Sequence, residues 1–142
     1  MSHSPASRSA LIDLVLQWHQ SGTPWSPSGL GTRLDWGPPL GPRHEVLSCR
    51  QLNRVIDHAV DDLTITVEAG LPLQDLQDLL AEQGQWLPID WPLAGAPGSI
   101  GGLVARGLAG DCGNAIWGCV IRSSASACCG RMASKPMPVD GW

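Results

Sequence analysis

Phenylalanine and tyrosine are absent from this 142-residue chain, and lysine occurs once, at Lys135. A Walker loop needs a lysine at its end to reach the nucleotide phosphates, so neither glycine-rich segment here can be one. A large excess of positive charge is also missing. The formal net charge is −4, which argues against nucleic acid or an anionic membrane surface as the main partner. No apolar run is long enough to span a bilayer. The start, "MSHSPASRSALIDLVLQW", lacks the basic start and clean apolar core of a secretory signal, so the chain is expected to be cytoplasmic. Paired C-x₂-C knuckles are missing too. Cys112, Cys119, Cys128 and Cys129 are spaced by seven, nine and one residues, and no histidine follows His58. That pattern disfavours zinc, and adjacent cysteines such as Cys128 and Cys129 make only strained disulfides.

What is present is 43% hydrophobic residues, 15% charged residues, 17 glycines and 12 prolines. This composition suits one loop-rich domain mixing helix and strand, and is unlike a disordered polyelectrolyte or a helical bundle. Leu11, Leu14, Val15 and Trp18 share a face in a helix expected over Ser9 to Ser21, with Gly22 as its stop. Leu52 to Ile56 reads as a strand and Asp61-Asp62 as a turn. Leu63 to Glu68 alternates, with Leu63, Ile65 and Val67 on one side and Thr64 and Thr66 on the other. Leu73, Leu76, Leu79 and Leu80 form a helical stripe that Gly84 ends. "LVARGLAG" begins another helix. Asp61/Asp62 and Asp75/Asp78 are read as turn and helix-surface residues, His58 as a solvated side chain and Cys49 as a small, partly buried one. No catalytic acid, base or nucleophile is assigned.

Two loops carry candidate chemistry. Ser28-Gly29-Leu30-Gly31-Thr32 and Pro97-Gly98-Ser99-Ile100-Gly101-Gly102 combine glycines with hydroxyl side chains. A diphosphate needs convergent N–H donors with no Cβ in the way. Glycine permits close approach and positive φ, and Ser or Thr adds a hydroxyl. Gly29 and Gly31 are thus expected to be glycine so that no Cβ meets the diphosphate and so that positive φ is allowed. Neither loop has the G-x-G-x-x-G spacing of a dinucleotide-binding turn. On the residues alone, an unrelated α/β binding module with ordinary glycine turns remains open.

The succession "PSGLGTRLDWG", "LNRVIDHAVDDLTITVEAGLPLQDLQDLLAEQGQWLPID" and "GSIGGLVARGLAG" resembles the FAD-binding domain of the vanillyl-alcohol-oxidase or p-cresol-methylhydroxylase type. Within it, the chain looks most like the FAD-binding subunit of glycolate oxidase (glycolate dehydrogenase). The resemblance covers about residues 9–110. It implies an α+β fold of two small α/β subdomains that clasp an extended FAD, here in truncated form. Ser28 to Thr32 falls on the family's pyrophosphate loop and Pro97 to Gly102 on its "TIGG"-like stretch, with Ser99 where threonine is usual. No histidine lies in the first loop, so non-covalent FAD is implied. Arg33, Asp35 and Trp36 match a "KLDWG"-like run and are read as fixing the loop's exit. The implied partners are FAD and other glycolate oxidase subunits, including an iron–sulfur subunit. Substrate groups would lie in a cap domain beyond this fragment, so the chain alone is expected to be inactive. A non-enzymatic, pseudogene-like fragment is the alternative.

The likeness stops at Gly110. Residues 111–142 carry Arg122, Arg131 and Lys135 against Asp111 and Asp140, and hold four of the five cysteines. Read one base earlier, the codon spanning Trp117 and Gly118 must be glycine, as must that spanning Met132 and Ala133. Permitted third bases then give "GLRQRHMGVRDPIIGIGLLRADG", which is similar to the family's continuation. Two segments are expected: a partial FAD-binding domain over 1–110, and a frameshifted, poorly structured tail over 111–142 that leaves the edge of the sheet exposed.

Overall fold

In a computed structural model, the described residues are 1–39, 41–87 and 98–106, with the backbone of 126–128 and 130–131. The first unit is a parallel sheet with a crossover helix. Strand β1 (Ser2–His3) leads into helix α1 (Arg8–Ser21), which returns the chain to β2 (Trp25–Ser28), and β3 (Glu45–Ser48) lies between them in the order β1-β3-β2. Ser7 caps α1 through its Oγ, which accepts from the Ala10 N–H at 3.2 Å. Gly22 ends the helix in the left-handed conformation, and the Thr23 N–H returns to the Trp18 carbonyl. The predicted apolar face is the inward one, although only Trp18 on it is fully buried. Its ring meets His3 edge-on and leans on Trp25, so α1 is tied to both outer strands.

The second unit contains the core. Strand β4 (Val55–Ala59) pairs antiparallel with β5 (Thr64–Val67), and helix α2 (Leu73–Glu82) lies over them. Leu73, Leu76 and Leu80 of α2 pack with Ile65, Val67, Leu71, Leu87 and Ile100. Leu63 and Leu79 are only partly buried against this cluster. The two periodicities meet here. Period 2 sends Ile65 and Val67 to one face of the hairpin, and period 3.6 sends the α2 leucines down onto it. The open end of the hairpin is clamped by Arg54 and Glu68. The Glu68 carboxylate accepts from the Arg54 backbone N–H and from its guanidinium at 2.8–3.2 Å. These bonds hold the Glu68 carboxyl below the ordinary carboxylate range.

Several expectations shift by a few residues for local reasons. The strand expected over Leu52 to Ile56 starts later, at Val55. Leu52 instead makes a turn, donating its N–H to the Cys49 carbonyl and accepting from the Gly70 N–H. A Cβ on Gly70 would strike the Cys49 carbonyl, so this crossing requires glycine. Leu63 sits in the hairpin turn at φ 56° and β5 begins after it. The third helix, α3 (Ile100–Arg106), starts before "LVARGLAG". His58 is not simply solvated, because its Nε2 lies 2.8 Å from Gln85 Oε1, and the Gln85 amide donates to the Val60 carbonyl. Gln85 is fully buried, and this network satisfies it. It opens strand β6 (Gln85–Trp86).

The expectation of an exposed sheet edge also changes. The backbone of β7 (Ser126–Cys128) pairs antiparallel with Thr64–Thr66, and β8 (Gly130–Arg131) pairs with β6. The edge of β5 is therefore occupied along three residues. The other residues of 107–142 lie outside the described residues, as do the side chains of all four late cysteines.

Because Leu76 has no exposed surface and faces the hairpin squarely, Leu76→Ala should cost about 2–5 kcal/mol, the range for a buried leucine that leaves a cavity. Leu79→Ala, at the margin, should cost clearly less. Urea unfolding of the two variants measures the difference, and equal costs would displace the core from this face of α2.

Candidate binding cleft

The two loops singled out in the sequence meet. Gly98 to Gly101 is stitched to the turn before α2: the Leu73 N–H donates to the Gly98 carbonyl, Ile100 to Leu71, and Gly101 to Ala69. Ser99 pairs with Pro72 as an isolated antiparallel bridge. Gly101 is crowded, since a Cβ there would lie 2.8 Å from both the Ala69 Cβ and its carbonyl oxygen. Ser99 is left facing the first loop. It is 2% exposed, and its Oγ accepts from the Gly102 N–H at 3.2 Å.

Gly29 lies directly against that hydroxyl. A Cβ on Gly29 would overlap Ser99 Oγ and stand 2.9 Å from Ser99 Cβ. The reason for glycine at 29 is therefore the neighbouring loop, which corrects the expectation that its missing Cβ makes room for a ligand. Gly31 is glycine for a different reason. Its φ is 76° and its Cβ would meet only ordinary contacts, so backbone conformation is what restricts this position.

The first loop has a distinct polarity. Its carbonyls turn inward: Ser48 Oγ donates to Gly29 O at 3.5 Å, and Arg50 Nη2 donates to Leu30 O at 3.0 Å. The backbone N–H groups of Gly29, Leu30, Gly31, Thr32 and Arg33 donate to no acceptor among the described residues. Five successive donors without a protein acceptor, with the Gly29 and Leu30 carbonyls held by Ser48 and Arg50, make a segment suited to an anion. Upstream, Pro27 sits in the edge strand β2. Cys49 and Glu45 donate to Ser28 and Pro24, so the even-numbered residues face β3. Pro27 thus places its missing donor on the open side.

Three cavities of ≈ 200, ≈ 170 and ≈ 220 Å³ meet at Ser28. The first is walled by the loop, by Gly98, Ser99 and Gly102, and by Arg33 and Arg106. The second is lined by Cys49, Ala69, Gly101 and Ala105, and burial pushes the Cys49 thiol up. The third runs beneath the loop to Ser2, Ser48 and Arg50. A chain of connected, shallow spaces fits an extended ligand whose middle is anionic.

Of the residues singled out in sequence, Ser28, Gly29, Leu30, Gly31, Thr32, Gly98, Ser99 and Gly102 line the first cavity, and Gly101 lines the second. Ile100 points into the core. Pro97 lies outside the described residues. Sequence reasoning missed Arg50, Ala105 and Arg106, and placed Arg33 only at the loop's exit. The guanidinium groups of Arg33 and Arg106 stack on Trp36, 5.0 and 4.8 Å from its centroid. The available signal was an exposed tryptophan, 60% accessible, beside an arginine in a glycine loop.

The cleft fits FAD by these criteria: a run of N–H donors free of protein acceptors in a loop that lines the cavity, loops closed by glycine packing, and three neighbouring cavities that share Ser28. Comparison with known proteins agrees. Residues 3–119 match the family described as FAD binding domain. The chain is similar to D-2-hydroxyglutarate dehydrogenase of Xanthomonas citri pv. viticola, with 34% identity over 70% of this chain and 21% of that protein. It is 32% identical to a probable mitochondrial D-lactate dehydrogenase of Danio rerio over 75% of this chain and 21% of the relative. With glycolate oxidase subunit GlcE of Escherichia coli K12 it shares 32% identity over 71% of this chain and 28% of the relative. The chain thus spans between a fifth and just over a quarter of these relatives' lengths. Two solved structures of alkyldihydroxyacetonephosphate synthase share the fold, with TM-scores of 0.63 and 0.65 over 77% of this chain and about a fifth of theirs, at 24% and 22% identity. With its two loops joined around an N–H-lined cleft and more than half its length matched, the chain belongs to the FAD binding domain family.

Proposed function

We propose that this chain is the FAD-holding part of an FAD-linked oxidoreductase acting on a 2-hydroxy acid, glycolate being the first candidate. The observation that carries the reading is the junction of Ser28–Thr32 with Gly98–Gly102 at one cleft. The substrate class comes from the relatives, since glycolate, D-lactate and D-2-hydroxyglutarate in their names are all 2-hydroxy acids. When bound, the flavin would accept the electrons of the alcohol oxidation. The chain's own contribution is binding and orientation. The N–H groups of Gly29 to Arg33 would hold the diphosphate, and Ser99 would fix the distance between the two loops. The first loop carries no histidine and none lines the three cavities among the described residues, which is in keeping with a non-covalent attachment. The substrate-orienting groups belong to a part of the enzyme outside this chain. By itself the chain would then bind FAD without oxidising glycolate, because oriented substrate is the source of much of the rate. Other glycolate oxidase subunits, including an iron–sulfur subunit, are the proposed partners, and the cytoplasm the proposed location. Residues 111–142 are proposed to be read out of frame, although the backbone of 126–128 and 130–131 pairs with β5 and β6 and the family match runs to residue 119.

Two experiments test this reading. The purified protein should quench FAD fluorescence on titration and release all flavin on acid denaturation, with no glycolate-dependent dye reduction. Flavin retained by the denatured chain would contradict non-covalent binding, dye reduction would contradict the division of labour, and absence of quenching would remove the assignment. The loop junction makes a second, sharper demand. Gly29→Ala should lose FAD binding by at least about tenfold, because the methyl group strikes Ser99 and separates the loops. Adding Ser99→Gly should recover part of that loss. If Gly29→Ala binds as the unaltered protein does, the Gly29–Ser99 contact does not govern the cleft.

A further inference from the structure

Arg33 and Arg106 are 73 positions apart in sequence and share one indole ring. Arg33 belongs to the turn that closes the first loop, and Arg106 is the last residue of α3. Each guanidinium stacks on Trp36 within about 5 Å of its centroid, so the ring is a common platform for two like charges. Arg33 also reaches the second loop: its Nη1 would lie 3.1 Å from a Cβ on Gly98. Both arginines line the same cavity as Gly29 to Thr32, whose N–H groups have no acceptor among the described residues. Among the described residues neither has a carboxylate within 4.0 Å, whereas Arg54 has Glu68. Both guanidinium groups bring positive charge to the one cavity that they line, and an anion bound there would offset both. Their planar donor forks match the oxygens of a phosphate better than a point charge would.

We propose that Arg33, Trp36 and Arg106 form an arginine clamp that grips the diphosphate of the bound dinucleotide from the side facing the N–H row. The clamp rests on the FAD reading above and adds to it. It assigns charge neutralisation to side chains from two different elements and makes Trp36 the part that sets their spacing. It also makes binding selective for a diphosphate. A nucleoside monophosphate has one phosphate group instead of two, and so cannot reach both the N–H row and the two guanidinium groups at once.

The test titrates FAD, ADP and AMP against the full chain, Arg106→Gln and Arg106→Lys, at low and high salt, with thermal unfolding recorded for each. The unaltered protein should bind FAD and ADP with affinity that falls as salt rises, and AMP more weakly. Arg106→Gln should weaken FAD and ADP by about tenfold, flatten their salt dependence, and leave AMP nearly unchanged. Arg106→Lys should recover the salt dependence but only part of the affinity. If Arg106→Gln unfolds early, Arg33→Gln gives the same comparison from the loop side. Equal FAD and ADP affinities in the unaltered and glutamine proteins overturn the clamp while leaving the FAD reading standing. Failure of the unaltered chain to bind either ligand overturns both.

Discussion

The hydroxyl of Ser99 occupies the space where a Cβ on Gly29 would stand, and the cleft depends on this contact. Ser99 cannot yield easily. It is paired with Pro72, its neighbours Ile100 and Gly101 donate to Leu71 and Ala69, and Ile100 is anchored in the core with Leu73, Leu76 and Leu80. The packing of α2 on the β4–β5 hairpin therefore fixes the position of Ser99. Ser99 in turn sets how closely the loop after β2 can approach. Burial of leucine side chains supplies the stability, and a glycine converts it into the spacing of a binding site.

The loop itself is polarised by its support. Ser48 and Arg50, at the end of β3 and just beyond it, take the carbonyls of Gly29 and Leu30. The N–H groups of Gly29 to Arg33 have no acceptor among the described residues, and donors fixed before binding cost no reorganisation when an anion arrives. Overall charge runs the other way: the chain is formally −4, but the described residues lining the first cavity include two arginines and no carboxylate. Net charge describes the whole surface, whereas the local set of charges selects the ligand.

The most legible parts in the sequence were those where one periodicity operates over several residues. Ile65 and Val67 fall as the alternation requires and Leu73, Leu76 and Leu80 as the stripe requires, and Gly22 and Gly84 mark stops with positive φ. The glycine loops were also visible, and their hydroxyls and glycines line the cleft. The first sheet was not legible. β1 has two residues, and β2 reads Trp-Ser-Pro-Ser, where the proline disguises a strand that it can join only at an edge. Nor could sequence show which residue excludes a Cβ at Gly29, because that depends on a contact across 70 positions. The Arg33–Trp36–Arg106 stack and the His58–Gln85 pair are hidden for the same reason. Each is a side-chain meeting between elements whose relative placement is decided by the core.

The most direct test of the account is amide hydrogen exchange with and without FAD. If the loop N–H groups hold the diphosphate, exchange at Gly29 to Arg33 should slow markedly when FAD is added. The amides of α1, remote from the cleft, should keep their rates. Unchanged exchange across Gly29 to Arg33 in the presence of bound FAD would show that the dinucleotide lies elsewhere on the protein.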